Sequence, residues 1–222
     1  MKYEISNMIG KIIHADCLEV LKGLPDKCVD LILTDPPYGI NIGSSNRLCK
    51  SRGFLEEKWD LQTLSSYQYY QIKRTSQNQI IWGGNYFASL TGNTRCFLIW
   101  DKNNDGRDFA DCEMAFTSFD SVARIYRMRP MNMDGGKVHP TQKPAALFKW
   151  CLSKYSKEGD LVLDPFAGSG TTALACHTLN RRFICIEKEV KYVEVARKRL
   201  EELQAQQDLF IPAQIKSQEN AQ

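Results

Sequence analysis

A three-layered α/β fold, with a mainly parallel sheet covered by helices on both faces, is what the sequence predicts, and three observations carry that reading. Short apolar runs alternate with longer stretches of helical period along most of the chain. Two apolar runs end in an acid followed by a tight turn, VDLILTDPPYG at 29–39 and LVLDPFAGSGTT at 161–172, and the second turn opens directly into a helical stretch. The composition is that of an ordinary globular chain: 222 residues, 43% hydrophobic, 25% charged and 10% aromatic.

In chain order, strands are expected at 9–15, 29–34, 79–83, 96–100, 113–118, 123–128, 161–163 and 183–186, and helices at 18–24, 61–75, 145–156, 171–179 and 190–203. In the third helix Phe148, Cys151, Leu152 and Tyr155 fall at i, i+3, i+4 and i+7; in the last, Val193, Ala196, Leu200 and Leu203 form one apolar stripe. Both helices should face the core. Strands separated by helices of this length pair in parallel, whereas 113–118 and 123–128 lie close enough for an antiparallel pair. Residues 1–203 read as a single domain. The Gln-rich tail 204–222 lacks periodicity and is expected to be disordered. Residues 41–54 hold Arg47, Lys50 and Arg52 with no acid, in a Gly- and Ser-containing stretch expected to be a mobile loop.

Charge and cysteine usage narrow the function classes. Lys+Arg 29 against Asp+Glu 26 gives a formal +3, too mild for binding a polyanion through overall charge, so any nucleic-acid site is a local patch. No apolar run approaches the roughly 20 residues that cross a bilayer, and His14 and Asp16 interrupt the N-terminal stretch before it could act as a signal segment. A soluble, cytoplasmic protein is expected. The eight cysteines, at 17, 28, 49, 96, 112, 151, 176 and 185, form no CxxC pair, and with three histidines they offer no zinc-ligand spacing. Reduced thiols and no metal are the expectation.

The glycine turn of DPFAGSGTT sits where open α/β sheets bind ligands. A phosphate-cradling loop would need a lysine after the last glycine, where this chain has Thr171. Tight strand-to-helix packing is the other reason for Gly168 and Gly170. A carboxylate at Asp164 opposes a pyrophosphate and suits a cation, and Glu187, ending the next strand, stands where an acid takes ribose hydroxyls. Adenosine carrying a positive tail fits both acids, and S-adenosylmethionine is such a ligand. In TDPPYG the two prolines remove two N–H donors and leave carbonyls pointing outward. Asp35 and a proline carbonyl then form a pair of acceptors beside the flat face of Tyr38, suited to gripping an amino group on an aromatic ring. Hydrogen-bonding both amino protons restores electron density on nitrogen for attack on a methyl group.

TDPPYG at 34–39, HPTQKP at 139–144 and DPFAGSGTT at 164–172 together resemble the signature motifs of the amino-group DNA methyltransferases, which modify adenine N6 or cytosine N4. The match runs from about Lys11 to Leu203, with the catalytic motif before the cofactor motif, similar to the β order of that family. The resemblance implies a Rossmann-like fold with a seven-stranded sheet holding one antiparallel strand. It also implies a flipped base in double-stranded DNA as substrate, S-adenosylmethionine as the cofactor, and no metal. Asp35, Pro36, Pro37 and Tyr38 match the catalytic tetrad. Asp164, Phe166, Ala167, Gly168, Ser169, Gly170 and Thr171 match the cofactor loop, Glu187 the ribose acid, and Asp16 with Cys17 the region near the adenine. Asp35 also borders the cofactor, and His139, Thr141 and Lys143 lie in the motif usually placed beside its methionine portion.

The target-recognition segment of this motif order falls at 102–137, which is short and balanced, with six basic and six acidic side chains. A short recognition site, a partner subunit, or recognition shared with 41–54 and its Arg47, Lys50 and Arg52 would each explain it. Family members of this order are often dimers. For Trp59 and Trp82 core packing and ligand contact stay open. DPPY leans to adenine and SPPY to cytosine N4, which remains the alternative, as does a catalytically idle DNA-binding subunit. C5-cytosine chemistry would need an activated thiol in a motif of its own, and none is present.

Overall fold

The computed structural model describes residues 4–39, 63–104, 110–130 and 142–210. Its strands are β1 (Lys11–His14), β2 (Val29–Thr34), β3 (Ser76–Trp82), β4 (Leu98–Asp101), β5 (Cys112–Thr117), β6 (Arg124–Arg127), β7 (Leu161–Asp164) and β8 (Arg182–Glu187). Its helices are α1 (Cys17–Gly23), α2 (Ser66–Thr75), α3 (Ala88–Thr91), α4 (Ala145–Tyr155), α5 (Thr171–Thr178) and α6 (Val190–Phe210). The strands form one sheet in the order β1-β8-β7-β2-β3-β5-β4-β6. All neighbours are parallel except β5, which runs antiparallel to both β3 and β4.

Period-two alternation sorts the strand side chains between two cores. Leu31, Leu33 and Val162 pack with Leu147, Cys151, Ala173, Cys176 and Val193 of α4, α5 and α6, while Ile32, Leu161 and Leu163 pack with Val20, Leu21 and Ile72 of α1 and α2. Burial on both faces is why these strands read as unbroken apolar runs. Each large aliphatic side chain so buried stabilises the fold by roughly 1.5–3 kcal/mol.

Several boundaries differ from expectation for identifiable reasons. The second helix starts at Ser66 rather than near 61, because Ser65 and Gln68 form a capping box: Ser65 Oγ accepts from Gln68 N at 3.2 Å and Ser65 N donates to Gln68 Oε1 at 2.9 Å. At its other end Ser76 turns straight into extended backbone, so β3 begins at 76 and not 79. Arg74 donates to Leu21 O and Leu24 O, tying α2 to the end of α1. The segments 113–118 and 123–128 do not pair with each other, because both edges of β5 are taken by β3 and β4. β6 therefore joins the far edge of β4 in parallel and becomes an eighth strand beyond the seven that the family resemblance implies. Helix α6 extends through residues 204–210, the first part of the Gln-rich tail, and 211–222 lie outside the described residues. No helix among the described residues is long and apolar enough to cross a membrane.

Candidate active site

Because β1, β8, β7 and β2 lie side by side and parallel, their carboxyl ends open on one edge of the sheet. A cavity of about 660 Å³ lies there, lined by Asp16, Asp35, Asp164 and Glu187, each at or just past the end of its strand. That volume falls within the roughly 300–1,000 Å³ of small-ligand sites.

Three of these acids are held in one way, by the amide two residues further on. Asp16 Oδ1 accepts from Leu18 N at 2.9 Å, Asp164 Oδ1 from Phe166 N at 3.0 Å, and Glu187 Oε1 from Glu189 N at 2.8 Å. Glu187 Oε2 also accepts from Gly168 N at 2.7 Å, which clips the glycine turn to β8. Asp164 takes further hydroxyl hydrogen bonds from Thr34, at 2.7 Å, and from Thr172. Burial pushes the Asp164 carboxyl up to about 6 against the lowering effect of those donors; burial likewise lifts Glu187 above the usual carboxylate range. The two explanations of the glycine turn divide between its glycines. Gly170, at φ +82°, opens α5, and a Cβ there would lie 2.8 Å from Ala196 Cβ, so packing against α6 excludes a side chain. A Cβ on Gly168 would meet nothing within 4 Å, and Gly168 borders the cavity. Arg199 holds the turn from outside, donating to Ser169 O at 2.6 Å and Ser169 Oγ at 3.0 Å. Ala167 N donates to Ile186 O, and Phe166 and Thr171 line the cavity. Cys17 also lines it, with burial pushing its thiol up to about 11, which makes it a poor nucleophile.

The other wall is an ion network around the DPPY turn. Tyr38 Oη donates to Asp35 Oδ1 at 2.5 Å, and Lys143 Nζ donates to Asp35 Oδ2 at 2.5 Å and lies 3.1 Å from Tyr38 Oη. Lys143 is 4% exposed and also pairs with Glu113 Oε2 at 2.9 Å, while Lys102 pairs with Glu113 Oε1 at 2.6 Å. Burial works against the Lys143 cation, yet Asp35 and Glu113 outweigh it and hold its amine well above the ordinary lysine range. Burial lifts Asp35 above the usual carboxylate range; Lys143 opposes that lift and Glu113 adds to it. Glu113 is pushed up by burial and pulled down more strongly by Lys143 and Lys102, to about 2. An ionised carboxylate has about four acceptor positions, so Asp35 retains capacity beyond Tyr38 and Lys143. Pro36 is buried and Pro37 borders the cavity. One face of Tyr38 is covered by Tyr86, with centroids 4.8 Å apart and planes at 17°. A Cβ on Gly83 would come within 2.2 Å of Tyr38 Cε1, so a glycine is needed for the ring to sit there.

The structure thus brings together Asp16, Cys17, Asp35, Pro36, Pro37, Tyr38, Lys143, Asp164, Glu187 and the glycine turn. His139, Thr141, Arg47, Lys50, Arg52 and Trp59 lie outside the described residues. Lys143, grouped by its motif with the cofactor's methionine portion, directs its ammonium to Asp35 and Glu113. Trp82 is fully buried in the core. Sequence reasoning missed Glu113 and Lys102 as site residues, counting them only in the charge balance of 102–137. The available signal was an acid inside the strand run CEMAF, where a paired or functional charge is the usual explanation. Among the described residues, no three His, Cys, Asp or Glu side chains gather as metal ligands.

Residues 81–198, a little over half of the chain, match the DNA methylase family N6_N4_Mtase. The chain is 28% identical over 258 residues to Type II methyltransferase M.HinfI of Haemophilus influenzae, spanning 91% of this chain and 71% of that protein. It is 29% identical over 240 residues to Type II methyltransferase M.HpaI of Haemophilus parainfluenzae, spanning 87% and 75%. Of solved structures, the M1.HpyAVI–SAM complex superposes with a TM-score of 0.59 at 27% identity, covering 86% of this chain and 98% of that one.

Proposed function

Because the chain belongs to the N6_N4_Mtase family of DNA methylases, we propose that it is an S-adenosylmethionine-dependent DNA methyltransferase acting on the exocyclic N6 of adenine in double-stranded DNA. The observation that carries this reading is that Asp35 of the DPPY turn and the two acids Asp164 and Glu187 line one cavity. An acceptor for an amino group and a cradle for a cationic nucleoside therefore meet in one space.

The residues present fit that cofactor. Two anchored carboxylates suit an adenosine with a positive tail, and the bare side of Gly168 leaves room beside them. When bound, S-adenosylmethionine supplies an electrophilic methyl group. Glu187 keeps acceptor positions for ribose hydroxyls beyond those used by Gly168 and Glu189, and Asp164 supplies negative charge at the cavity wall. On the opposite wall, Asp35 and a carbonyl of the proline turn hold the two protons of the target amino group. Nitrogen regains its lone pair and is aligned for attack, a contribution of positioning and polarisation. The aromatic ring of Tyr38 supplies a stacking surface worth about 1–3 kcal/mol per base, which requires Tyr86, 47% exposed, to move aside or accept the base against it. Adenine is favoured over cytosine by DPPY in place of SPPY.

Long-read sequencing of DNA from cells expressing the protein tests this reading. N6-methyladenine at one recurring short sequence is the expected result; N4-methylcytosine at a recurring sequence would assign the other base, and unmodified DNA would overturn the activity.

A further inference from the structure

Four charges alternate in sign along the wall of the DPPY turn: Asp35, Lys143, Glu113 and Lys102. The successive separations are 2.5 Å, 2.9 Å and 2.6 Å. The series crosses from the parallel part of the sheet to its antiparallel strand. Asp35 follows β2, Glu113 is the second residue of β5, and Lys102 follows β4, where Trp100 pairs in register with Glu113. Since β5 runs against its neighbours, its amino end reaches the edge where the parallel strands end. An acid placed early in that strand therefore faces the catalytic turn.

This placement has a chemical consequence. A lysine paired with Asp35 alone would concentrate its positive charge on the carboxylate that has to hold the amino protons, and would weaken it as an acceptor. With Glu113 on its other side, Lys143 divides its attraction between two carboxylates, and Lys102 balances the second. We propose that Glu113 is a positioning residue for methyl transfer, holding Lys143 between two carboxylates so that Asp35 stays anchored while keeping its strength as a proton acceptor. The proposal rests on the reading of Asp35 as the acceptor for the target amino group. The groups facing Asp35 are Lys143, Tyr38, Glu113 and Asp164; those facing Glu113 are Lys102, Lys143, Asp35 and Tyr38.

Two variants with opposite expected signs test it. Glu113→Gln removes the negative charge that supports Asp35 and leaves Lys143 to Asp35 alone. Lys102→Met removes the positive charge that balances Glu113. The readout that needs no turnover is the titration of the Asp35 carboxyl, followed by NMR of carboxyl-13C-labelled aspartate in the full chain without cofactor, with Asp35→Asn identifying the signal. The midpoint is expected to fall by at least about half a pH unit in Glu113→Gln and to rise by a similar amount in Lys102→Met. The acidic limb of the pH–rate profile should move in the same two directions, with the rate at saturating substrates lowered at least about tenfold in Glu113→Gln. Lys102→Arg should return both to wild-type behaviour. Midpoints that stay put in both variants, or move the same way in both, overturn the proposal, and so does a Glu113→Gln protein whose midpoint falls while its rate at saturating substrates stays within about threefold of wild type, since opposite shifts follow from the two charges alone and only the loss of rate follows from positioning. If Glu113→Gln does not fold, Glu113→Asp, which keeps the charge and shortens its reach to Lys143, takes its place: a rate at saturating substrates lowered at least about tenfold is expected, and a wild-type rate overturns the proposal. Wild-type protein that methylates no DNA would overturn the activity and with it the positioning role, while the Asp35 titration would still show whether Glu113 and Lys102 set the charge at Asp35.

Discussion

The two walls of the cavity are built by different means. On the wall proposed to hold the cofactor each acid has an anchor within its own turn, Asp16 by Leu18, Asp164 by Phe166 and Glu187 by Glu189, at a spacing of two residues. On the wall proposed to carry catalysis Lys143 reaches residues 105 and 108 positions away in sequence and is held by ion pairs to Asp35 and Glu113. Apart from the Glu187–Gly168 and Asp164–Thr34 hydrogen bonds, these anchors are local, so a change to one acid should leave the others' anchors standing. A buried network of alternating charges is a single unit, and removing a member leaves an uncompensated charge. The cofactor wall should therefore respond to substitution by graded losses of binding, and the catalytic wall by collective losses of stability and rate.

The sharpest break in that contrast is expected at Lys143→Met. Asp35 and Glu113 would then face each other in a buried site with only Lys102 to compensate, and the fold should lose about 3–5 kcal/mol, read by denaturant unfolding, with methyl transfer lost alongside. The sign of its pH dependence follows from Asp35, whose folded pKa is already raised and rises further without the cation. A raised carboxyl contributes stability that is present at low pH and lost as pH rises, so the variant should recover part of its deficit on acidification.

A smaller and purely local effect is expected at Asp164. Burial in the fold favours the protonated form of its carboxyl relative to the unfolded chain, pushing it up to about 6. That contribution to stability is full below about pH 4 and is lost as pH rises through 6, whereas a cationic ligand needs the ionised form. Cofactor affinity measured by calorimetry should weaken up to about tenfold from pH 7 to pH 5. Asp164→Asn should lower affinity by roughly 1.5–3 kcal/mol and flatten that dependence; an unchanged profile would remove Asp164 from the binding account. The least effect belongs to the basic residues 47, 50 and 52: replacing Arg47, Lys50 and Arg52 by Gln should lower the salt slope of DNA binding by up to about 3 × 0.9, with cofactor affinity untouched.

The same contrast explains what was legible in the sequence. DPFAGSGTT showed its acid, its glycines and its helix because strand end, turn and helix start are consecutive residues. TDPPYG showed its acceptors because prolines constrain their own backbone. The partners of Asp35 were not legible, since nothing local to HPTQKP says that Lys143, which also lines the cavity, pairs with Asp35 and Glu113, and nothing in CEMAF says that Glu113 lies beside the DPPY turn. That follows from β5 running antiparallel between β3 and β4. The false pairing of 113–118 with 123–128 has the same origin: the short connection allowed a hairpin, and only occupancy of both edges of β5 forbids it. Helix boundaries went wrong where a cap overrode a periodic pattern, as Ser65 and Gln68 did for α2.

The division of labour between the walls is tested most directly by a paired measurement on Asp35→Ala and Glu187→Ala, taking cofactor affinity by calorimetry and the single-turnover rate of methyl transfer at saturating cofactor. Asp35→Ala should bind the cofactor within a few-fold of wild type and lose at least about 100-fold in rate, as expected for a group needed chiefly in the transition state. Glu187→Ala should lose roughly 1.5–3 kcal/mol of cofactor affinity and regain most of its rate once saturated. Near-normal turnover in Asp35→Ala, or unchanged cofactor affinity in Glu187→Ala, would contradict the account.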